Sequence, residues 1–84
     1  MIKLKIPQVD FLNREILVFS SNINNEEIAS KICAQLLKME GIRDATIDLE
    51  DRENILRVEV LSGFSKCKIE NEIFKCGFRS AELY

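Results

Sequence analysis

Two glycines mark the places where this chain changes its hydrophobic period. Ahead of Gly41, Ile28, Ile32, Leu36 and Met39 recur at helical spacing, with Ala29 and Cys33 beside them, while Lys31, Gln35 and Lys38 lie largely opposite. After it, Ala45, Ile47 and Leu49 alternate with Thr46, Asp48 and Glu50, the period of a half-buried strand. Leu56, Val58 and Val60 then alternate with Arg57 and Glu59. Ahead of Gly77, Ile69, Ile73 and Cys76 fall on one helical face, and residues 78–83 return to strand. Glycine tolerates the left-handed backbone that closes a helix, so each is a natural stop.

The remaining boundaries follow from caps and turns. Residues 15–20 (EILVFS) are almost continuously apolar, as a central strand requires. Asn24 or Asn25 is placed to cap the helix that follows, and Glu26 and Glu27 sit in its first turn, where the helix dipole favours negative charge. That helix is predicted to run to about Glu40. Residues 50–54 form a charged hairpin loop, and Ser65 is the candidate cap of the second helix, which ends near Lys75 or Cys76. The order is β-α-β-β-α-β. Right-handed crossovers interleave two such units into an α+β, ferredoxin-like domain, a four-stranded antiparallel sheet with two helices on one face.

Composition narrows the function more than it names it. With 84 residues the chain has room for one small domain, divided here into an extension over 1–13 and a folded body over 14–84. In the extension, Ile2, Leu4 and Ile6 fall at period two and imply an extra strand, which Pro7 ends or confines to a sheet edge. The formal charge of −2 lacks the basic footprint of a nucleic-acid or membrane-surface binder. No apolar run reaches the length of a spanning helix, and no secretory signal is legible, so a cytoplasmic location is expected. Histidine is absent, which removes the commonest general base and every His-based nucleophile pair within the chain. The three cysteines, Cys33, Cys67 and Cys76, have no C-x-x-C spacing and are expected to behave as small buried hydrophobes.

The chain resembles the heavy-metal-associated family, the βαββαβ module of copper chaperones and metal-pumping ATPases, over residues 17–83. The likeness is carried by Gly41-Ile42 followed by Ala45-Thr46-Ile47-Asp48-Leu49, and by Ile73, Gly77, Phe78 and Ala81, with one extra residue before the alanine. The family's metal loop reads Gly-Met-x-Cys-x-x-Cys. Counting back from Gly41 without a gap, its methionine falls on Ile23, its first cysteine on Asn25 and its second on Ile28. Two thiolates are the soft ligands that select Cu(I) or Zn, and neither an amide nor an isoleucine replaces them. Phe78 stands where chaperones often place a tyrosine or lysine near the metal loop. The resemblance implies the scaffold, and these substitutions imply a member that has lost its metal pair.

The residues bear on several chemistries. A soft-metal site would have to be relocated to Cys33, Cys67 and Cys76, and none is expected. Asp48, Glu50, Asp51 and Glu53 crowd the first hairpin but lack EF-hand spacing, so a solvated hairpin tip is expected there. The strand over 55–60 has no stacking aromatic of the RNA-recognition type. No phosphate loop or catalytic constellation is present, so no enzyme and no cofactor are expected. What remains is protein contact, with an unidentified partner or a second copy; the alternative is metal handling, through Cys33, Cys67, Cys76 or acidic residues or by docking on a metal-transport protein. If Ile16 and Val18 point to the helices, Leu17, Phe19 and Ile55 form an apolar patch on the open face of the sheet, with Leu61 near its end. The alternative is that the N-terminal extension folds back over that patch.

Overall fold

The structure, a computed structural model, describes residues 14–83. The extension over 1–13, with its implied extra strand, lies outside the described residues. The elements are β1 (Arg14–Ser21), α1 (Glu26–Leu37), β2 (Ile42–Asp48), β3 (Ile55–Leu61), α2 (Lys66–Lys75) and β4 (Ser80–Glu82). They form one antiparallel sheet in the order β2-β3-β1-β4. This is the ferredoxin-like α+β architecture, with β1 and β3 at the centre.

The core lies between the helices and one face of the sheet. From α1 come Ala29, Ile32 and Leu36, and from α2 Ile69 and Ile73. The sheet supplies Phe19 from β1, Ile42 and Ala45 from β2, and Leu56, Val58 and Val60 from β3. Among the described residues no polar or charged residue is buried with them. Full burial of each large aliphatic contributes roughly 1.5–3 kcal/mol, which is how so small a domain holds its shape.

The face assignment of β1 is the reverse of the one expected. Phe19 is 0% exposed and Leu17 packs against the core, whereas Ile16 is 63% exposed. Pairing decides this. Leu17 lies opposite Val58 and Phe19 opposite Leu56, and residues directly opposite each other share a face. β3 alternates cleanly with Arg57 and Glu59, so its phase is fixed and β1 must follow it. Of the expected patch, Leu17 and Phe19 therefore belong to the core, and only Ile55 remains on the open face, with Leu61.

β2 begins at Ile42, three residues earlier than its alternation indicated. The register shifts between Ile42 and Asp44, a bulge that places Arg43 and Asp44 between the buried Ile42 and Ala45. Gly77, next to the Cys76 C-cap, closes α2 with φ +94°. α1 ends at Leu37 with Lys38 as its C-cap, three residues short of the expected end near Glu40, and Gly41 with φ +100° serves the turn that leads into β2. Ser65 holds the N-cap position of α2 but makes no side-chain capping bond. Lys66 reaches instead across to Glu82 at 2.6 Å, tying the start of α2 to the end of β4.

Candidate functional site

The up-and-down path of the chain brings three loops to one end of the fold: residues 22–25, the hairpin over 49–54, and residues 76–79. Hydrogen bonds hold them together. The Asn22 backbone N–H donates to the Arg79 carbonyl at 3.3 Å, and the Arg79 N–H donates to Asn22 Oδ1 at 2.8 Å. The Ser21 N–H donates to the Glu53 carbonyl at 2.9 Å, and Ser21 Oγ donates to the Asn54 carbonyl at 2.8 Å. The Ile23 N–H in turn donates to Ser21 Oγ at 3.3 Å. Ile23 itself is 0% exposed, an apolar side chain seated in the core beneath the loop.

Asn25 is the residue at the first cysteine position of the resembled motif. Its backbone is extended (φ −133°, ψ 130°) and its Oδ1 accepts the Ile28 N–H at 3.0 Å. The side chain is thus committed to one of the free donors of the first turn of α1. Ile28, at the second cysteine position, is half-buried and packs against the core. Replacing Asn25 with alanine is expected to lower stability by about 1 kcal/mol, as cap losses do, with urea unfolding as the measurement.

The acidic hairpin is organised by its own backbone. Asp48 Oδ1 accepts the Glu50 N–H at 3.0 Å, and Asp51 Oδ1 accepts the Glu53 N–H at 2.9 Å. Asn54 closes the turn with φ +48°. Two of the four carboxylates are therefore engaged as turn acceptors. Among the described residues, no group of three Cys, Asp or Glu side chains comes together in a way that could hold a metal ion.

The cysteines occupy three separate places. Cys67 is exposed in the first turn of α2 and Cys76 is exposed at its C-cap, about 13 Å further along the helix axis at the rise of an α-helix. The expectation that all three are core thiols is corrected for these two. α2 is short, and only Ile69 and Ile73 face the sheet, so Cys76 falls past the end of the buried stripe. Cys33 is half-buried on α1, and burial, with the negative charge of Asp44 as a smaller contribution, pushes its thiol pKa above the ordinary 9.0. A thiol raised in the folded state stays protonated where the unfolded chain has lost its proton. Its contribution to stability is complete below pH 9 and is lost as pH rises through the folded pKa. Stability should therefore fall above pH 9, and Cys33→Ala should flatten that fall. A thiol reagent near neutral pH should modify Cys67 and Cys76 at once and Cys33 slowly.

The helix-free face of the sheet is a further exposed surface, beside Leu37 and Phe74 on the helices, which are exposed as well. Ile16 (63% exposed) and Leu83 (42% exposed) flank the half-buried Val18, with Ile55 and Leu61 on β3. Arg14 and Glu59 form an ion pair across the same face. Sequence reading missed Ile16 and Val18 because both phases of EILVFS are apolar. The partner strand's Arg57 and Glu59 carried the signal that resolves them.

A four-stranded ferredoxin-like sheet with an α1 capped just past β1 defines the class of this domain. The chain matches no family model and no curated protein. Among solved structures it is similar to a chain described as CsoZ metallochaperone, with a TM-score of 0.70 at 19% identity, over 81% of this chain and 97% of that one. It is also similar to oxidized MerP from Ralstonia metallidurans CH34, with a TM-score of 0.73 at 14% identity, over 84% of this chain and 99% of that one. At these identities the likeness establishes the fold. Among the described residues, no helix is long and apolar enough to cross a membrane.

Proposed function

We propose that this chain is a non-enzymatic protein-contact domain on a metallochaperone-type scaffold, and that its contact surface is the helix-free face of the sheet. The observation that carries this reading is the aliphatic group of Ile16, Val18 and Leu83, with Ile55 and Leu61 at the two ends of β3 on either side of Arg57 and Glu59, and with Ile16 63% exposed. Apolar clusters of this kind on a small domain mark partner surfaces. The loop end supports the same reading. Asn25 is engaged in capping, Ile28 packs inward, and no cysteine lies between residues 22 and 28. The scaffold has kept its shape while the residues of a soft-metal pair are gone. Two exposed free thiols fit a reducing compartment, and the cytoplasm is the proposed location.

The partner surface is that of another protein, a second copy included. Sedimentation equilibrium over a wide concentration range tests the second copy directly. A mass that rises with concentration, and no longer does so in Ile16→Asp, supports the face as the contact. A mass that rises equally in both variants places the contact elsewhere.

A second reading has one observation in its favour. Cys76 is exposed at the same end of the fold as the 22–25 loop, joined to it through the Asn22–Arg79 bonds. On this reading the domain handles a soft metal through Cys76, with the remaining ligands supplied by a partner protein, since Cys67 lies at the far end of α2 and Cys33 lies apart on α1. A competition titration of the reduced protein with Cu(I) and Zn²⁺ against chelators separates the two. Tight stoichiometric binding that is lost when Cys33, Cys67 and Cys76 become serine establishes metal handling. Binding no greater than that of the serine variant leaves the protein-contact reading.

A further inference from the structure

We propose a contact surface beyond the open face: the outer edge of β4, which takes up an extended segment of a partner protein as an added strand. The segment pairs through its main chain with Ser80 and Glu82. It sets an acidic side chain beside Arg79 and, at the adjoining position, an apolar side chain against Phe74. The inference stands whether or not the open face is also a contact.

The edge is the first observation. β4 is the last strand in the sheet order and pairs with β1. The Leu83 N–H donates to the Val18 carbonyl at 2.9 Å, and the Asn22 N–H to the Arg79 carbonyl at 3.3 Å. Facing residues of an antiparallel pair alternately exchange main-chain bonds and leave them free, so Arg79, Ala81 and Leu83 turn theirs to β1. Ser80 and Glu82 turn their N–H and carbonyl groups outward, and among the described residues no further strand meets them. The opposite edge is blunted. β2 carries the bulge at Arg43 and Asp44, which hinders pairing with another strand, whereas β4 runs along β1 with no shift of register.

The second observation is what lies beside the edge. Two depressions meet at Arg79 and Ser80. One, of about 280 Å³, is walled by Glu70, Asn71 and Phe74 of α2, and the other, of about 330 Å³, runs along the end of β1. Such volumes lie at the low end of small-molecule sites and suit single side chains. Ser80 Oγ, where they meet, is shielded from water and has no hydrogen-bond partner. Phe74 is 73% exposed. A strand edge flanked by a helix is an arrangement in which a main chain gives affinity and alternate side chains give selection.

Charge identifies the occupant. Glu82 is held by Lys66, but Arg79 enters no salt bridge among the described residues. A second copy does not supply its counter-charge, because β4 paired with itself about a two-fold axis sets Arg79 against Ala81 or Leu83. Three residues a side also bury far less than the roughly 1,000 Å² of a stable interface. A partner segment with an aspartate or glutamate there does supply it. Glu82 faces the helices, lying opposite the buried Phe19, and Ser80 shares its side, so Arg79 points to the other side. The segment therefore alternates likewise, with its acid on the open side and its neighbouring apolar residue on the side of α2.

Selection of a random hexapeptide display library on the whole chain supplies the probe, and NMR of isotope-labelled protein with the tightest hexapeptide tests the site. Selected peptides should carry an acidic residue next to an aliphatic or aromatic one. Binding should shift the Ser80 and Glu82 amides and slow their exchange with solvent. An N-methyl group on the peptide amide facing β4 should abolish it. Arg79→Glu should turn the selected acid into lysine or arginine, and Phe74→Ala should weaken binding roughly tenfold, the order of one aromatic contact. Both side chains are exposed, so the spectrum of the core should not change. Ile16→Asp, which tests the open face, should leave hexapeptide binding as it was, so the two readings fail separately. No hexapeptide binding above a scrambled control overturns the inference, as does binding indifferent to Arg79→Glu and Phe74→Ala. Ser80 and Glu82 amides already protected in the free protein overturn it too. Protection that rises with concentration makes the occupant a second copy, and protection independent of concentration makes it the chain itself.

Discussion

Replacing Phe19 with alanine is expected to cost about 3–5 kcal/mol of folding stability, while Ile16→Thr, three residues earlier on the same strand, stays within about 0.5 kcal/mol. The contrast follows from the phase of β1. Phe19 is 0% exposed, lies opposite Leu56 on the central strand pair, and truncation leaves a cavity that the flanking strands cannot close. Ile16 is 63% exposed, and threonine keeps the β-branched shape the strand favours. A domain of 84 residues has on the order of 4–12 kcal/mol in total, so the Phe19 variant should lose most of its urea transition or all of it. Equal effects at the two positions, or the reverse order, would show that β1 presents its other face to the helices.

The second large effect is at Gly41. Substitution by alanine should cost about 2–3 kcal/mol, measured as a shift of the urea midpoint at unchanged slope. Two penalties combine there. The backbone has φ +100°, which L residues avoid, and the new Cβ would stand 2.8 Å from Cδ2 of Phe64. The glycine cannot move away easily, because its carbonyl accepts the Leu61 N–H at 2.8 Å. Gly63 provides the comparison. It has φ +88° but nothing within 4 Å of an added Cβ, so Gly63→Ala should show the backbone penalty of about 1 kcal/mol alone. The difference between the two variants measures the crowding by Phe64. Adding Phe64→Ala to the Gly41 variant should then cost less than it does in the parent chain.

Much of this architecture is legible in the residues. The change of period at Gly77, the alternation of β3 and the helical face of α1 are local signals, and each produces the element it indicates, although α1 stops at Leu37, short of Gly41. The failures are those of signals that are not local. EILVFS is apolar in both phases, so its orientation is settled only by which residues of β3 stand opposite. The bulge at Arg43 and Asp44 breaks the alternation of β2 and hides its first three residues. Cys76 follows the helical spacing of Ile69 and Ile73, yet it lies at the cap, where the helix has already run past the sheet. The candidate site divides in the same way. The absence of cysteines over 22–28 is plain in the sequence. That Asn22 bonds to Arg79 rather than standing free to meet a ligand is a contact across 57 positions, and no local pattern carries it.

That contact also bears on the birth of the molecule. β1 is the first of the described strands to be made, but the strands on its two sides are β3 and β4, and the loop that follows it is fastened to Arg79. During synthesis, β1 must wait with both edges unpaired until residues from 55 onward emerge, and its loop stays loose until nearly the whole chain has appeared. Long-range pairings of this kind are slow to form, and unpaired apolar strands adhere to one another while they wait. Lysines alternating with the aliphatics just ahead of β1 give the nascent chain positive charge where its stickiest strand is still bare. Residues made before β1 would then guard the strand that is last to be completed.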